Sequence, residues 1–554
     1  MSPAAILLAA ILPILGILGK TVPEEQVSLA SSRPVVSTVN GVVVGTTGVT
    51  DGGTAYNAFR GIPYAQPPIG TRRFAAPEAA SNWSGQRDAS QDASPCIQGS
   101  GNDIIGSEDC LYINVYAPRN AHNLAVMVWI HGGGFTGGDS RYDSYNPDFL
   151  LDENVVFVSL NYRLGIFGFM STEDQTVSGN WGLKDQVLAL QWVRENIEYF
   201  GGNSSRITIF GESAGGASVS YLLQIPQAQG LFDAAIIQSG NSLNLWSLTT
   251  RARQAAFQVG YNLGILALLS RTLLDRLRGI EAYRLQATAA SVSTQTLLLN
   301  PLRGLIWAPC VEAAGPNAYF TLSSDDALRR GQIPNRVPIL IGHTSNEAGH
   351  AHSLPETLQV YFRVFDIASN NLSPFSLTSA SSTRSVTANA VRDFFFDDGS
   401  LSNQINEVVK FINADQFTRG ALRFTENVRP FLPSVYFYIF GYQGQIVGET
   451  AYDGVGHAEE LFYLFKQQGT YSQSDLIVRD KIVRLWTNFA KTFNPTPQRE
   501  ALLDSLSWPR VTSGNLDYVW INATLSRDIN PDQDTYTFYQ NLFNQYGDGS
   551  YTTY

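Results

Sequence analysis

The stretch Ile207-Thr208-Ile209-Phe210-Gly211-Glu212-Ser213-Ala214-Gly215-Gly216 decides the fold. A short apolar strand runs straight into Gly-x-Ser-x-Gly, and Ala217-Ser218-Val219-Ser220-Tyr221-Leu222-Leu223 continues it with helix-compatible residues. A serine between strand and helix sits on a strained turn, and only small flanking residues let the crossing backbones approach. The next N–H, that of Ala214, opens a helix, where negative charge is favoured. The bare pentapeptide occurs by chance in many chains. Its flanks give it meaning.

Outward from this turn, apolar runs recur at 124–130, 155–160, 207–210, 234–237, 337–341 and 435–440. They are continuous rather than alternating, as strands covered on both faces are. Between the second and third, Leu183, Val187, Leu190, Val193 and Ile197 recur at helical spacing, with Gly201-Gly202 as a stop. Alternating strands and helices predict an α/β fold with a large, mostly parallel sheet and right-handed crossovers. No linker divides the chain, so residues 20–554 read as one domain. The Ser/Thr-rich stretch 370–389 reads as a surface excursion between helices.

Of 554 residues, 44% are apolar and 15% charged, which supports a large buried core rather than disorder. A net charge of −11 and a pI near 5.1 argue against nucleic acid and anionic membranes as partners. The apolar stretch from Ala4 to Leu18, ending at Gly19 before Lys20, has the length of a signal-peptide core and is too short to span a bilayer. Residues 1–19 are therefore expected to be a leader, and the protein to be secreted. Three cysteines suit that compartment. Cys96 and Cys110 would close a short loop worth about 3 kcal/mol by chain entropy, and Cys310 reads as a buried thiol. Sequons at Asn82, Asn203, Asn371 and Asn522 permit glycosylation, the third disfavoured by Pro374.

A serine nucleophile needs a base, an orienting acid and an oxyanion hole. On such sheets the order is serine, acid, histidine. The six histidines are His122, His131, His343, His350, His352 and His457. Two precede the serine and three crowd the candidate acid Glu347. Only His457, in a Gly-rich loop after the 435–440 strand, is placed as base. Glu347 follows the 337–341 strand, at the functional rim of a parallel sheet, but position alone leaves it one of many downstream carboxylates. The strand 126–130 ends in His131-Gly132-Gly133-Gly134-Phe135. There, the N–H groups of Gly133 and Gly134, with that of Ala214, would face a developing anion. No Gly-Lys-Ser/Thr follows, which excludes a phosphate loop.

The chain resembles the type-B carboxylesterase/cholinesterase family of α/β-hydrolases, especially its insect and other arthropod members. The likeness rests on Phe59-Arg60-Gly61-Ile62-Pro63-Tyr64-Ala65-Gln66-Pro67-Pro68 and Ser107-Glu108-Asp109-Cys110-Leu111-Tyr112-Ile113-Asn114-Val115. It continues through Asn161-Tyr162-Arg163-Leu164-Gly165, Gly179-Asn180-Trp181-Gly182-Leu183-Lys184-Asp185-Gln186 and Arg484-Leu485-Trp486-Thr487-Asn488-Phe489-Ala490-Lys491. The resemblance implies a triad of Ser213, Glu347 and His457 and an oxyanion hole of Gly133, Gly134 and Ala214. It also implies a Cys96–Cys110 disulfide, and structural ion pairs Arg73–Glu108 and Arg163–Asp185. Glu212 would tune the water network, and Trp246 would be an acyl-pocket wall or a packing residue.

Departures from the family pattern bear on substrate. Cholinesterases hold a cation partly through a tryptophan in the first disulfide loop, whereas 97–109 here contains no aromatic residue. Juvenile-hormone esterases usually carry glutamine where this chain has Glu212. The family's Glu-Gly is here Glu347-Ala348. The expectation is a secreted hydrolase of apolar, uncharged esters, needing no metal or organic cofactor, monomeric or dimeric, with a small-molecule ester as its partner. A slow, sequestering esterase and an adhesion or binding member of the same fold are the other readings.

Overall fold

The computed structural model describes residues 33–299, 302–377, 381–448, 450–549 and 551–554. The expected leader lies outside them. An eleven-stranded sheet is built from β3 (Thr46–Val49), β4 (Ala55–Pro63), β6 (Tyr112–Pro118), β7 (Leu124–Ile130), β8 (Val156–Leu160), β9 (Gly202–Glu212), β10 (Ala234–Gln238), β11 (Ile339–Thr344), β12 (Val435–Phe440), β13 (Asp517–Ile521) and β14 (Ser526–Ile529). A small second sheet joins β1 (Val35–Ser37), β2 (Val42–Val44) and β5 (Gln86–Asp88).

The order in the large sheet is β14-β13-β12-β11-β10-β9-β7-β8-β6-β4-β3. From β13 to β8 every neighbour is parallel. The two margins, β14 on β13 and β8 through β6 and β4 to β3, are antiparallel. The fold is that of the α/β-hydrolases, and the six predicted runs are six of its seven consecutive parallel strands, β13 being the one not predicted.

Their continuous apolarity has a simple cause. Val126, Val128 and Ile130 of β7 pack into one core and Ala125, Met127 and Trp129 into the other. β12 repeats the division, with Val435, Phe437 and Ile439 on one side and Tyr436, Tyr438 and Phe440 on the other. Each such side chain withdrawn from water contributes about 1.5–3 kcal/mol, so neither face tolerates a polar alternation.

The predicted helix spans Trp181–Asn196, and Gly201 closes the turn after it at φ 86°. Its Asp185 is fully buried and grips Arg163 through two contacts, Nε–Oδ2 at 2.8 Å and Nη2–Oδ1 at 2.6 Å. Arg73 and Glu108 make the second expected pair. Cys96 and Cys110 are bonded, and Cys310 is free and buried.

One expectation is corrected. The 370–389 stretch is not a surface excursion: a helix runs from Ser381 to Phe395 and buries Thr387, Ala388 and Val391. Its Ser/Thr-rich composition hid a face whose hydroxyls are paired internally, Thr387 Oγ1 lying 2.7 Å from Ser373 Oγ.

Candidate active site

The end of β9, the end of β7 and the turns after β11 and β12 meet at the carboxyl ends of the parallel strands, where such sheets hold their ligands. Ser213 has φ 59° and ψ −122°, between the strand Gly202–Glu212 and the helix Ala214–Leu222. A conformation of this kind costs roughly 1–3 kcal/mol. It is held by Ser213 N donating to Gln238 O at 2.9 Å and Ala217 N to Ser213 O at 2.8 Å. The flanking glycines are steric necessities: a Cβ on Gly215 would lie 1.9 Å from Ile130 O, and one on Gly216 2.6 Å from Gln238 O.

The Gly-rich turn after β7 passes directly over this elbow. Gly133 stands at φ 104° and accepts from the N–H groups of Thr136 and Gly137. The N–H groups of Gly133, Gly134 and Ala214 have no acceptor among the described residues. The turn is braced on both sides. His131 stacks on Tyr162 with ring centres 4.5 Å apart, and Tyr162 Oη donates to His131 O at 2.9 Å. From the disulfide loop, Gln98 closes a two-way clamp on Gly138, donating to its O at 2.9 Å and accepting from its N at 2.8 Å. Burial lowers the His131 pKa, so it stays a neutral packing group.

Glu347 and His457 are brought together across 110 residues. His457 Nδ1 lies 2.5 Å from Glu347 Oε2, and the other oxygen accepts from Thr344 N at 2.8 Å. Both side chains are fully buried. Burial alone would raise the Glu347 pKa, but the charge and hydrogen bond of His457 hold it below the ordinary carboxylate value. Glu347 is therefore the ionised partner, and Nδ1 carries the proton.

The other nitrogen, Nε2, lies 3.0 Å from Glu212 Oε1, and no hydrogen bond joins it to Ser213 Oγ. Oγ and Nε2 are both buried, and neither makes a hydrogen bond among the described residues. Catalytic contacts of this kind commonly tighten only when substrate binds. Burial, with repulsion from Glu347, pushes Glu212 well above the carboxylate range. A protonated Glu212 can sit beside the Nε2 lone pair without repulsion.

A further layer holds the two loops to each other. Asn346 N donates to Val455 O at 2.9 Å, Val455 N to Ser345 Oγ at 2.9 Å, and Asn346 Nδ2 to Asp453 O at 2.9 Å. His350, which the sequence had excluded as base, donates Nε2–H to His457 O at 3.2 Å. Its Nδ1 lies 3.0 Å from Tyr452 Oη, which in turn reaches Glu459 Oε1 at 2.5 Å. A polar groove of 560 Å³ opens beside these loops, with Asn346, His352, Lys410 and Tyr452 among its walls.

Phe417, unmarked in the sequence, packs with its ring centre 4.9 Å from that of His457, tilted by 51°, on a π-helical turn, Ala414–Thr418. Such turns often mark functional sites, but one extra residue in a helical turn leaves no local sequence signature. Trp246 meets Phe417 at 5.9 Å and fixes its indole by donating to Gln416 O at 2.9 Å. It thus packs one aromatic ring removed from His457, through Phe417. Of the sequons, Asn82 is exposed. Asn203, Asn371 and Asn522 are half-buried, with Asn371 held by Arg384 and Asn522 donating to Gly441 O.

Glu460 lies behind the site, fully buried, one oxygen accepting from Gln238 Nε2 at 3.0 Å. Burial, then repulsion from Glu212 and Glu347, raises it to about 8. The folded chain thus keeps a proton that an unfolded glutamate, at about 4.3, releases. By linkage, stability falls as pH rises between these values and levels off above them. Glu460→Gln, which stays neutral, is expected to flatten the decline of Tm between about pH 5 and 8. Melting curves at stepped pH check this, and a slope as steep as wild type would refute it.

A sequence model of the carboxylesterase family matches residues 32–539. Juvenile hormone esterase of Tribolium castaneum is 35% identical over 521 residues, covering 86% of this chain and 87% of that protein. Esterase E4 of Myzus persicae is 32% identical, covering 85% and 89%. Among solved structures, juvenile hormone esterase of Manduca sexta, with OTFP covalently attached, superposes with a TM-score of 0.81 at 26% identity, covering 92% of this chain and all of that one.

Proposed function

The chain belongs to the carboxylesterase family, and we propose that it is a secreted serine hydrolase of apolar, uncharged carboxylic esters, with Ser213 as nucleophile. Hydrolysis of carboxylic esters follows from the family itself. The finer reading is carried by one observation: Ser213 sits on a positive-φ elbow beneath three unpaired amides, while Glu347 holds the Nδ1 proton of His457. His457 takes the Ser213 proton as Oγ attacks the ester carbonyl. Gly133, Gly134 and Ala214 then donate to the tetrahedral oxyanion. His457 returns the proton to the leaving alcohol, and water repeats the cycle on the acyl-enzyme. Glu347 orients the imidazole without taking its proton.

Apolar substrate is supported by the aromatic wall of Trp246 and Phe417 and by a disulfide loop lacking any aromatic residue to hold a cation. Secretion is supported by the apolar stretch from Ala4 to Leu18 and by the formed disulfide, a bond of oxidising compartments. No helix among the described residues is long and apolar enough to cross a membrane. One domain over 20–554 is supported by a sheet that draws strands from both ends of the chain.

Purified protein incubated with a fluorophosphonate probe and, separately, with a short-chain aryl ester tests the proposal. Labelling with steady turnover is the expected result. Labelling without turnover would make the protein a sequestering esterase, and no labelling would make it a binding member of the fold.

The oxyanion hole is tested by Gly133→Ala. The new Cβ would fall 2.2 Å from Gly137 O at a φ that disfavours alanine, so the turn and its amides shift. Loss of one such donor lowers kcat about 10²–10³-fold. Turnover of the aryl ester within a factor of about three of wild type would remove this turn from the mechanism.

A further inference from the structure

Between Asp233 and Glu312 the chain carries seven arginines and only two carboxylates, Asp275 and Glu281, in a protein of net charge −11. Within this basic segment, the turn joining the helices Ala252–Asn262 and Ser270–Arg278 turns its leucines outward. Leu266 is 85% exposed, Leu268 94% and Leu269 68%, and Tyr261 on the preceding helix is 66% exposed.

The turn is a fixed structure. Gly264 N donates to Tyr261 O at 2.9 Å, Ile265 N to Gly260 O at 2.8 Å, and Leu273 N to Leu269 O at 3.1 Å. The inner face of the second helix is already filled by Leu273, Leu274 and Leu277, all buried. The three outward leucines therefore add nothing to the core, and a clustered apolar tip of this kind marks an interaction surface.

Its rim is basic. Arg271, Arg276 and Arg284 are exposed. Arg271 shares its charge with Asp275 at 3.1 Å, whereas Arg276 and Arg284 have no ion-pair partner among the described residues. Arg276 lies about 9 Å along the helix from its start at Ser270, about one Debye length from the leucines.

We propose that the 261–276 turn is a peripheral docking site for an anionic lipid surface. The leucines enter the boundary between headgroups and acyl chains, and the arginines meet the phosphates. A side chain 94% exposed projects from the surface, and a projecting apolar tip fits a fluid apolar phase that closes around it. The overall negative charge does not oppose this, because charges beyond about one Debye length are screened. Locally, such docking runs against the expectation that the net charge argues against anionic membranes as partners.

Co-sedimentation with vesicles tests the site, using pure phosphatidylcholine and phosphatidylcholine with about one third phosphatidylserine. The wild-type chain is expected to pellet with the anionic vesicles. L266S/L268S/L269S is expected to weaken this at least roughly tenfold. R271E/R276E is expected to weaken it about fivefold or more per arginine and to abolish the preference for phosphatidylserine. An unchanged Tm in both variants shows that the fold is intact. Absence of pelleting, or pelleting unaffected by the serine substitutions, overturns the proposal. So does self-association in sedimentation velocity that the serines abolish without any vesicle binding, which would assign the tip to a second copy of the chain.

Discussion

Ser213→Ala is expected to lower kcat for an aryl ester by about 10⁶-fold and to abolish fluorophosphonate labelling. The size follows from the way nucleophile and base act as a unit: without Oγ, His457 has nothing to activate, and only the amides and the pocket still favour the transition state. Folding should be untouched. Ser213 Oγ makes no hydrogen bond, so alanine leaves no partner stranded, and the elbow is held by backbone bonds that alanine keeps. An unchanged Tm with lost turnover is the expected pair of results. A variant retaining more than about a thousandth of the wild-type kcat would place the nucleophile elsewhere.

Glu347→Gln is expected to cost about 10⁴-fold in kcat. Glutamine can still accept from Thr344 N, so the loop keeps its anchor. Toward His457, however, its amide donates where the carboxylate accepted. The imidazole then places its proton on Nε2, where the lone pair must receive the serine proton, and the developing imidazolium loses its counter-charge. Glu212 does not substitute, since its carboxyl approaches Nε2 rather than Nδ1. Activity within about tenfold of wild type would mean that another group orients the base.

The residues of the proposed triad differed in how far the sequence alone singled them out. Ser213 stood out because strand, elbow and helix are local, and because Gly215 and Gly216 leave a steric signature. His457 emerged by elimination among six histidines. Glu347 did not: many carboxylates lie downstream, and only family resemblance distinguished it. The central strands were legible because burial on both faces removes polar residues from them.

The margins were not legible. All four residues of Ser526–Ile529 are exposed, and Ala55–Pro63 mixes buried with half-exposed positions and breaks register between Phe59 and Ile62. The support of His457 by His350, Tyr452 and Glu459 was equally hidden. His350 and Tyr452 are 102 residues apart, and no spacing rule spans such a distance. The same holds for Gln98, whose clamp on Gly138 gives the disulfide loop a mechanical role that its lack of aromatic residues concealed.

The nest of buried carboxyl groups around His457 also bears on what leaves the enzyme. Ester hydrolysis makes a carboxylic acid, which in water ionises at once. At this spot burial, with the charge of neighbouring carboxylates, pushes the pKa values of the protein's own Glu212 and Glu460 upward, toward the neutral form. A newly made acid meets the same penalty. At the end of the cycle the proton is back on Ser213, so His457 offers the acid no counter-charge. Once ionised, it is driven outward to water. On the proposed reading, a site that takes a neutral ester therefore disfavours its ionised product, which predicts rapid clearance, weak inhibition by the acid and little reverse acylation.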